Sequence, residues 1–254
     1  YTLSETGGPA GYTAGAWACT GGGTLTGDSL VLAGGEDVTC TINNNDQAAT
    51  LTLEKTVTND NGGTATVTNF PLTATGPITI TGTSGATAVT DAAVSAGTYI
   101  LSETNVAGYT AGAWACTGGG TLTGDSLVLA GGEDVTCSIT NNDQAATLTL
   151  EKTVVNDNGG TATVANFPLT ATGPTTITGT SGATAVTDAA VSAGTYTLSE
   201  TNVAGYTAGN WACTGGGTLT GDSLVLAGGE DVTCSITNND QAATLTLEKT
   251  VVND

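Results

Sequence analysis

The sequence has no histidine, no arginine and no methionine, and only three lysines among 254 residues. Without histidine, a Ser-His-Asp nucleophilic triad cannot be built, and a zinc site would lack imidazole ligands. With 23 acidic residues the net charge is −20, and such a field repels nucleic acid and anionic membranes. We therefore expect neither an enzyme nor a nucleic-acid-binding protein, with no cofactor and no metal.

Long apolar runs are also missing. No stretch is long enough to span a bilayer, so no membrane insertion is expected in this segment. No segment keeps a helical period, whereas short Thr/Val/Leu/Ile segments alternate between Gly-rich turns. This pattern predicts an all-β fold of tandem Ig-like or prealbumin-like β-sandwich domains.

The sequence repeats itself. Trp17, Trp114 and Trp211 are each 97 residues apart, and the string TGGGTLTGDSLVLAGGEDVTC follows each of them closely. A period of this length suits one whole domain. The predicted division is a half repeat (1–47), a first complete repeat (48–144), a second complete repeat (145–241) and the first strand of another repeat (242–254). This phasing favours a segment of a longer repeat array.

Cysteines come two to a repeat, always 21 residues apart. An even, periodic count in a small domain predicts one disulfide per repeat and an oxidising compartment, hence an extracellular or cell-surface location. A metal site is the alternative, but no histidine and no C-x-x-C motif support it. The predicted pairs are Cys19–Cys40, Cys116–Cys137 and Cys213–Cys234.

Three strands of the repeat alternate with period two, and each carries one polar residue at the end of its inward-facing row. These residues are Lys55 after Leu51 and Leu53, Glu103 after Tyr99 and Leu101, and Asn141 after Cys137 and Ile139. Burying a lone charge is costly. One interpretation is an ion pair at the edge of the core, with the asparagine capping a strand. The other is a Lys–Asn isopeptide bond, in which a buried neutral glutamic acid shuttles protons.

A family resemblance favours the second interpretation. Tyr1-Thr2-Leu3-Ser4-Glu5, five further residues and Gly11-Tyr12 resemble the E-box, Y-x-L-x-E-x5-G-Y, of CnaB/SpaA-type prealbumin-like domains in bacterial pilins and adhesin stalks. The complete repeats have four residues in this gap, and the cysteines are not part of the usual pilin pattern. In that family a lysine of the first strand joins an asparagine near the end of the last, and the E-box glutamate catalyses the reaction.

The resemblance implies a role for nine residues. Lys55, Glu103 and Asn141 form one set, and Lys152, Glu200 and Asn238 form the next. In the half repeat, Glu5 and Asn44 match the family positions but need a lysine from upstream of residue 1. Lys249 needs partners beyond residue 254.

Two loops offer other chemistry. Residues 59–63 (NDNGG) predict a hairpin turn, since Asn-Gly closes such turns, although the loop partly resembles a calcium loop. The junction around Asp143 could bind calcium together with Asp157 or Glu133 of adjoining loops. The main interpretation keeps both loops structural.

The function predicted from the sequence is a structural repeat segment of an extracellular bacterial fibre or stalk. Short linkers between near-identical repeats indicate a semi-rigid array, and its partners would be further repeats or other copies of the chain. The alternative is an adhesin module that binds a ligand through its Gly/Thr-rich loops. Near-identical loops in every repeat favour the structural role.

Overall fold

The computed structural model describes residues 1–252, and nearly all of its regular structure is β-strand. The backbone forms two compact units. The first comprises Tyr1–Val57, Ala65–Asn105 and Ala111–Asn141, and the second comprises Thr58–Thr64, Val106–Thr110 and the chain from Asn142 onward. The division between units does not follow the sequence repeat, because two loops of the first complete repeat belong to the second unit.

The half repeat has six short strands, which pair two by two. They are β1 (Tyr12–Ala14), β2 (Ala18–Thr20), β3 (Thr24–Thr26), β4 (Ser29–Val31), β5 (Thr39–Thr41) and β6 (Asn44–Asp46). The antiparallel pairs are β1 with β6, β2 with β5 and β3 with β4.

Each complete repeat has ten strands and two short 3₁₀ helices. In the first they are β7 (Ala49–Thr58), β8 (Leu72–Thr75), β9 (Ile80–Gly82), β10 (Ala92–Val94), β11 (Gly97–Glu103), β12 (Tyr109–Ala111), β13 (Ala115–Thr117), β14 (Thr121–Thr123), β15 (Ser126–Leu129) and β16 (Asp134–Asp143), with helices Val67–Asn69 and Thr87–Val89.

The second complete repeat follows the same plan. Its strands are β17 (Ala146–Val155), β18 (Leu169–Thr172), β19 (Ile177–Gly179), β20 (Ala189–Val191), β21 (Gly194–Glu200), β22 (Tyr206–Ala208), β23 (Ala212–Thr214), β24 (Thr218–Thr220), β25 (Ser223–Leu226) and β26 (Asp231–Asp240), with helices Val164–Asn166 and Thr184–Val186.

The ten strands of a complete repeat form two five-stranded sheets. In the second complete repeat one sheet has the order β20-β17-β26-β22, with β23 also beside β26, and the other has the order β19-β18-β21-β25-β24. The first and last strands, β17 and β26, are parallel neighbours, with Lys152 opposite Ile236. Because these strands run the same way, the chain enters and leaves the repeat at opposite ends.

The core lies between the two sheets. Leu51, Leu53 and Tyr99 are completely buried, whereas Glu54 on the opposite face of β7 is exposed. This is the period-two alternation expected of a sheet with one buried face. Each fully buried leucine contributes about 1.5–3 kcal/mol relative to an exposed one. The all-β prediction and the predicted inward faces are confirmed.

One disulfide crosslinks each repeat. The pairs are Cys19–Cys40, Cys116–Cys137 and Cys213–Cys234. In each complete repeat the two cysteines lie directly opposite each other on neighbouring antiparallel strands, β13 with β16 and β23 with β26. The bond therefore links strands within one sheet, and it places a buried sulfur in the core beside the tryptophan.

The hairpin predicted at residues 59–63 is wrong. β7 and β8 belong to different sheets, so this loop begins a crossover instead of closing a hairpin. The Asp143 carboxylate holds the backbone of this loop. It accepts hydrogen bonds from the backbone N–H groups of Asp60 (2.9 Å), Asn61 (2.9 Å) and Gly63 (2.6 Å). A contact more than 80 residues away in sequence thus decides the loop conformation.

Candidate functional site: a buried lysine, glutamate and asparagine

Lys55 lies on the inward face of β7, where the alternation of the strand directs it into the core. It is 6% exposed, and its backbone N–H donates to Ser84 Oγ at 3.1 Å. The ammonium lies over the ring of Phe70, with Nζ 4.8 Å from the ring centroid. An aromatic face stabilises a desolvated cation, so the Phe70 ring is a favourable contact for the ammonium in this apolar environment.

Glu103 bridges the other two residues. It ends β11 in the facing sheet, and its Oε2 accepts a hydrogen bond from Lys55 Nζ. Its Oε1 accepts a hydrogen bond from Asn141 Nδ2 at 2.7 Å. Asn141 lies on β16, the neighbour of β7, and is 2% exposed. One carboxylate thus contacts side chains from the first and last strands at once.

The second complete repeat has the same arrangement in its own residues. Lys152 Nζ lies 2.5 Å from Glu200 Oε2, and Asn238 Nδ2 donates to Glu200 Oε1 at 2.7 Å. The Lys152 Nζ lies 4.9 Å from the ring centroid of Phe167. The side chains of Lys152 and Glu200 are 0% and 5% exposed. The lysine, glutamate and asparagine predicted from the sequence therefore lie in contact in both complete repeats.

The surroundings of the two lysines shift their pKa values. Burial lowers the pKa of Lys55 below its usual value, although the hydrogen bond and the charge of Glu103 act in the opposite direction. The pKa of Lys152 is lowered for the same reason. An ammonium in this position gives up its proton more readily than one in water, which is the first requirement for a lysine nucleophile.

The asparagine has an unpaired oxygen. Among the described residues, the buried Oδ1 atoms of Asn141 and Asn238 have no hydrogen-bond partner. A buried acceptor without a donor costs about 1–3 kcal/mol. The amide oxygen of the asparagine is therefore a buried acceptor of the cluster that has no donor.

The half repeat holds only part of this arrangement. Asn44 Nδ2 donates to Glu5 Oε1, but both residues are exposed and no lysine joins them. Lys249 lies in the exposed segment 242–252, outside any strand. The six residues of the two complete repeats come together as two clusters. Of the three remaining predicted residues, Glu5 and Asn44 contact each other without a lysine, and Lys249 lies in the exposed segment.

Two of the carboxylates considered as calcium ligands at the junction accept hydrogen bonds from the backbone. The Asp143 carboxylate binds its own 60–63 loop, and Glu133 Oε2 accepts the backbone N–H of Ala130 at 2.7 Å. Within residues 1–252, no three His, Cys, Asp or Glu side chains are grouped so that they could hold a metal ion. The same part of the chain has no helix that is long and apolar enough to cross a membrane.

Sequence comparison identifies the fold family. The family model SpaA_2, described as a prealbumin-like fold domain, matches residues 1–42, 46–139 and 143–236. The chain belongs to this family. The resemblance drawn from the E-box motif is thereby confirmed, and three prealbumin-like domains follow one another in the chain.

Several solved structures of bacterial proteins are similar to this chain. The Bacillus anthracis TIE protein is 15% identical with a TM-score of 0.50 over 84% of this chain, which spans 38% of that protein's length. A C-terminal fragment of the pilus adhesin SpaC from Lactobacillus rhamnosus GG is 18% identical, with a TM-score of 0.40 over 78% of this chain and 100% of the fragment. The major pilin of Streptococcus pyogenes is 14% identical, with a TM-score of 0.33 over 78% of this chain and 99% of the pilin. No curated protein matches the chain.

Two features of the prealbumin-like repeat escaped the sequence analysis. The first is the phenylalanine under the lysine, Phe70 or Phe167, which is completely buried. The second is the aspartate that ends the last strand, Asp143 or Asp240, which anchors the crossover loop. The string NFP and the aspartate after Asn-Asn recur in both complete repeats, but such recurrence cannot distinguish these residues from other repeated positions.

Proposed function

We propose that the chain is a structural repeat segment of an extracellular bacterial fibre or stalk. In this proposal an isopeptide bond closes each complete repeat, joining Lys55 to Asn141 and Lys152 to Asn238. The observation that carries it is the buried contact of a lysine and an asparagine with one glutamate, between the first and last strands. Membership of the prealbumin-like family and the single disulfide per repeat support the structural role.

The reaction begins with a proton transfer. Lys55 Nζ already donates to Glu103 Oε2, and burial lowers the pKa of the lysine. Moving one proton along this hydrogen bond replaces a buried ion pair with a neutral amine and a neutral acid. Both products are easier to hold in an apolar site than the charges they replace.

The neutral acid then activates the amide. Rotating the Asn141 amide by half a turn directs its unpaired Oδ1 at the Glu103 carboxyl, which donates a proton and polarises the carbonyl. The amine attacks Cγ, the bond from Cγ to Nδ2 breaks, and ammonia leaves. One hydrogen stays on the new amide, three leave in ammonia, and one remains on Glu103. No external reagent is needed.

The mechanical benefit follows from the strand order. The first and last strands are parallel neighbours, so tension applied at the two ends of a repeat acts on both. Hydrogen bonds between them would have to shear apart before the repeat could unfold. A covalent bond between these strands would carry the load directly, which suits a stalk under tension.

Intact mass tests the proposal. After reduction of the disulfides, the chain should weigh about 34 Da less than its sequence encodes, since each amide bond expels ammonia of about 17 Da. Glu103→Ala should restore about 17 Da, and Glu103→Ala with Glu200→Ala should restore the full encoded mass. Glu5→Ala is the matched control, because the half repeat has the glutamate without a lysine. This substitution should leave the mass deficit unchanged. A wild-type chain at its encoded mass would refute the proposal.

A further inference from the structure

Each complete repeat ends in a face made of two loops and a glutamine. In the first complete repeat this end face consists of Asn61, Gly62, Gly108 and Gln144, and in the second it consists of Asn158, Gly159, Gly205 and Gln241. The two copies have the same internal bonds. Gln144 donates its backbone N–H to Gly108 O at 2.8 Å, and Gln241 donates to Gly205 O at 2.8 Å. The Nε2 atoms of these glutamines donate to Thr110 and Thr207 at 2.6 Å.

The first copy of the end face is occupied. Within the second compact unit, the backbone N–H of Ala193 donates to Asn61 O at 2.8 Å, and that of Gly229 donates to Gln144 O at 3.2 Å. Ala193 lies in the turn between β20 and β21, and Gly229 lies in the loop between β25 and β26. Two loops of one repeat are thus hydrogen-bonded to the backbone of the repeat before it.

Glycine makes this approach possible. A Cβ built on Gly62 would lie 2.4 Å from Ala193 O, and one built on Gly108 would lie 2.8 Å from Gly228 O. Both distances are shorter than van der Waals contact. The atoms that would be met belong to the backbone, which cannot move aside as the end of a flexible side chain can. No other residue type fits these two positions while the next repeat is in place.

The half repeat meets the first complete repeat in the same way. Within the first compact unit, a Cβ on Gly11 would lie 2.5 Å from Gly131 O, and Gly132 donates its N–H to Gln47 O at 3.2 Å. The contact between glycine and glutamine backbones therefore recurs between different pairs of repeats. A recurring contact of this kind is a property of the repeat and not of one place in the chain.

The second copy of the end face is open. A Cβ on Gly159 or Gly205 would meet no described atom within 4 Å, although the two glycines have φ of +90° and +81°, close to the +83° and +78° of Gly62 and Gly108. The loops of the face thus have the same form with and without a neighbouring repeat. A surface already shaped for its partner loses little conformational freedom on docking.

We propose that this end face is a docking surface for another repeat of the same type, which seats its Gly-Gly loop and the turn before its E-box strand on it. Successive repeats would then be held by backbone hydrogen bonds instead of a free linker, and the open face of the second complete repeat accepts a further repeat in the same way. The proposal rests on the serial arrangement of the proposed function. It does not depend on the isopeptide bonds.

Hydrogen exchange on the full chain tests the docking. In the wild type, the amides of Ala193 and Gly229 should exchange at least about tenfold more slowly than an unprotected amide, because both donate across the junction. Gly62→Ala and Gly108→Ala should each raise these two rates by about tenfold or more. Gly159→Ala and Gly205→Ala introduce the same backbone strain on an open face, so they should change the rates by less than about twofold.

Two outcomes would overturn the docking surface: wild-type amides of Ala193 and Gly229 that exchange at unprotected rates, or equal effects from the two pairs of variants. Intact mass separates this failure from that of the isopeptide proposal. Protected junction amides in a chain of full encoded mass would leave docking standing and remove the isopeptide bonds. A lighter chain with unprotected junction amides would do the reverse.

Discussion

The half repeat and the complete repeats share almost the same sequence but differ sharply in burial. Trp114 and Asn141 are 7% and 2% exposed, whereas their counterparts Trp17 and Asn44 are only partly buried and exposed, respectively. What the complete repeats add is residues 48–98, which supply β7 to β10 and the start of β11. The motif Y-x-L-x-E therefore does not create the buried cluster by itself. Long-range packing desolvates it and supplies the lysine.

The largest effect expected from this comparison is the loss of stability when a buried lysine is replaced. Lys55→Ala should destabilise the first complete repeat by about 3–5 kcal/mol, since it leaves the buried Glu103 carboxyl without its lysine partner. Loss of the proposed covalent bond would add to this. Thermal unfolding monitored by calorimetry should show one repeat melting earlier while the other is unchanged.

Lys249→Ala is the control for that experiment. Lys249 occupies the same sequence motif, LEK, but lies in an exposed segment. Its replacement should change neither the melting profile nor the mass deficit. Equal effects of the two substitutions would mean that burial is not what distinguishes the complete repeats.

The disulfides should show a smaller contrast. Replacing Cys116 and Cys137 together with serine should cost the first complete repeat about 2–4 kcal/mol, because the crosslink constrains the unfolded chain. Cys19 and Cys40 lie outside both buried cores. Replacing them with serine should therefore leave the melting of the complete repeats unaltered. Urea unfolding of the two double variants gives the comparison directly.

The smallest contrast concerns the loop anchor. Burial raises the pKa of Asp143, but the hydrogen bonds from the backbone of Gly63, Asn61 and Asp60 outweigh it and hold the pKa below its usual value. A carboxyl with a depressed folded-state pKa stabilises the fold above its unfolded pKa of about 3.9. That stability is lost as pH falls through the lower folded-state pKa.

Asp143→Asn should therefore cost about 1–3 kcal/mol at neutral pH, since it weakens the acceptor for three backbone N–H groups. It should also flatten the pH dependence of stability below about pH 4. Asp46→Asn, at the matching and exposed position of the half repeat, should do neither. Chemical unfolding measured between neutral and acid pH distinguishes the two variants, and a loss of stability in both would remove the special role of the anchor.

The residues that could be predicted are those whose signal is local. Alternation along β7 placed Lys55 inward, and the same reasoning placed Glu103 and Asn141 correctly. The 59–63 loop could not be predicted, because Asn-Gly has the same local turn preference in a hairpin and in a crossover. Only the distant Asp143 decides between them. The position of Phe70 under the lysine is likewise a result of packing across the two sheets and has no local sequence signature.

In this proposal a Lys–Asn bond closes each of the two complete repeats. Proteolytic digestion of the reduced chain, followed by tandem mass spectrometry, tests it most directly. Two branched peptides are expected, one joining Lys55 to Asn141 and one joining Lys152 to Asn238, with Asn44 and Lys249 in linear peptides. Linear peptides that contain unmodified Lys55 and Asn141 would contradict it.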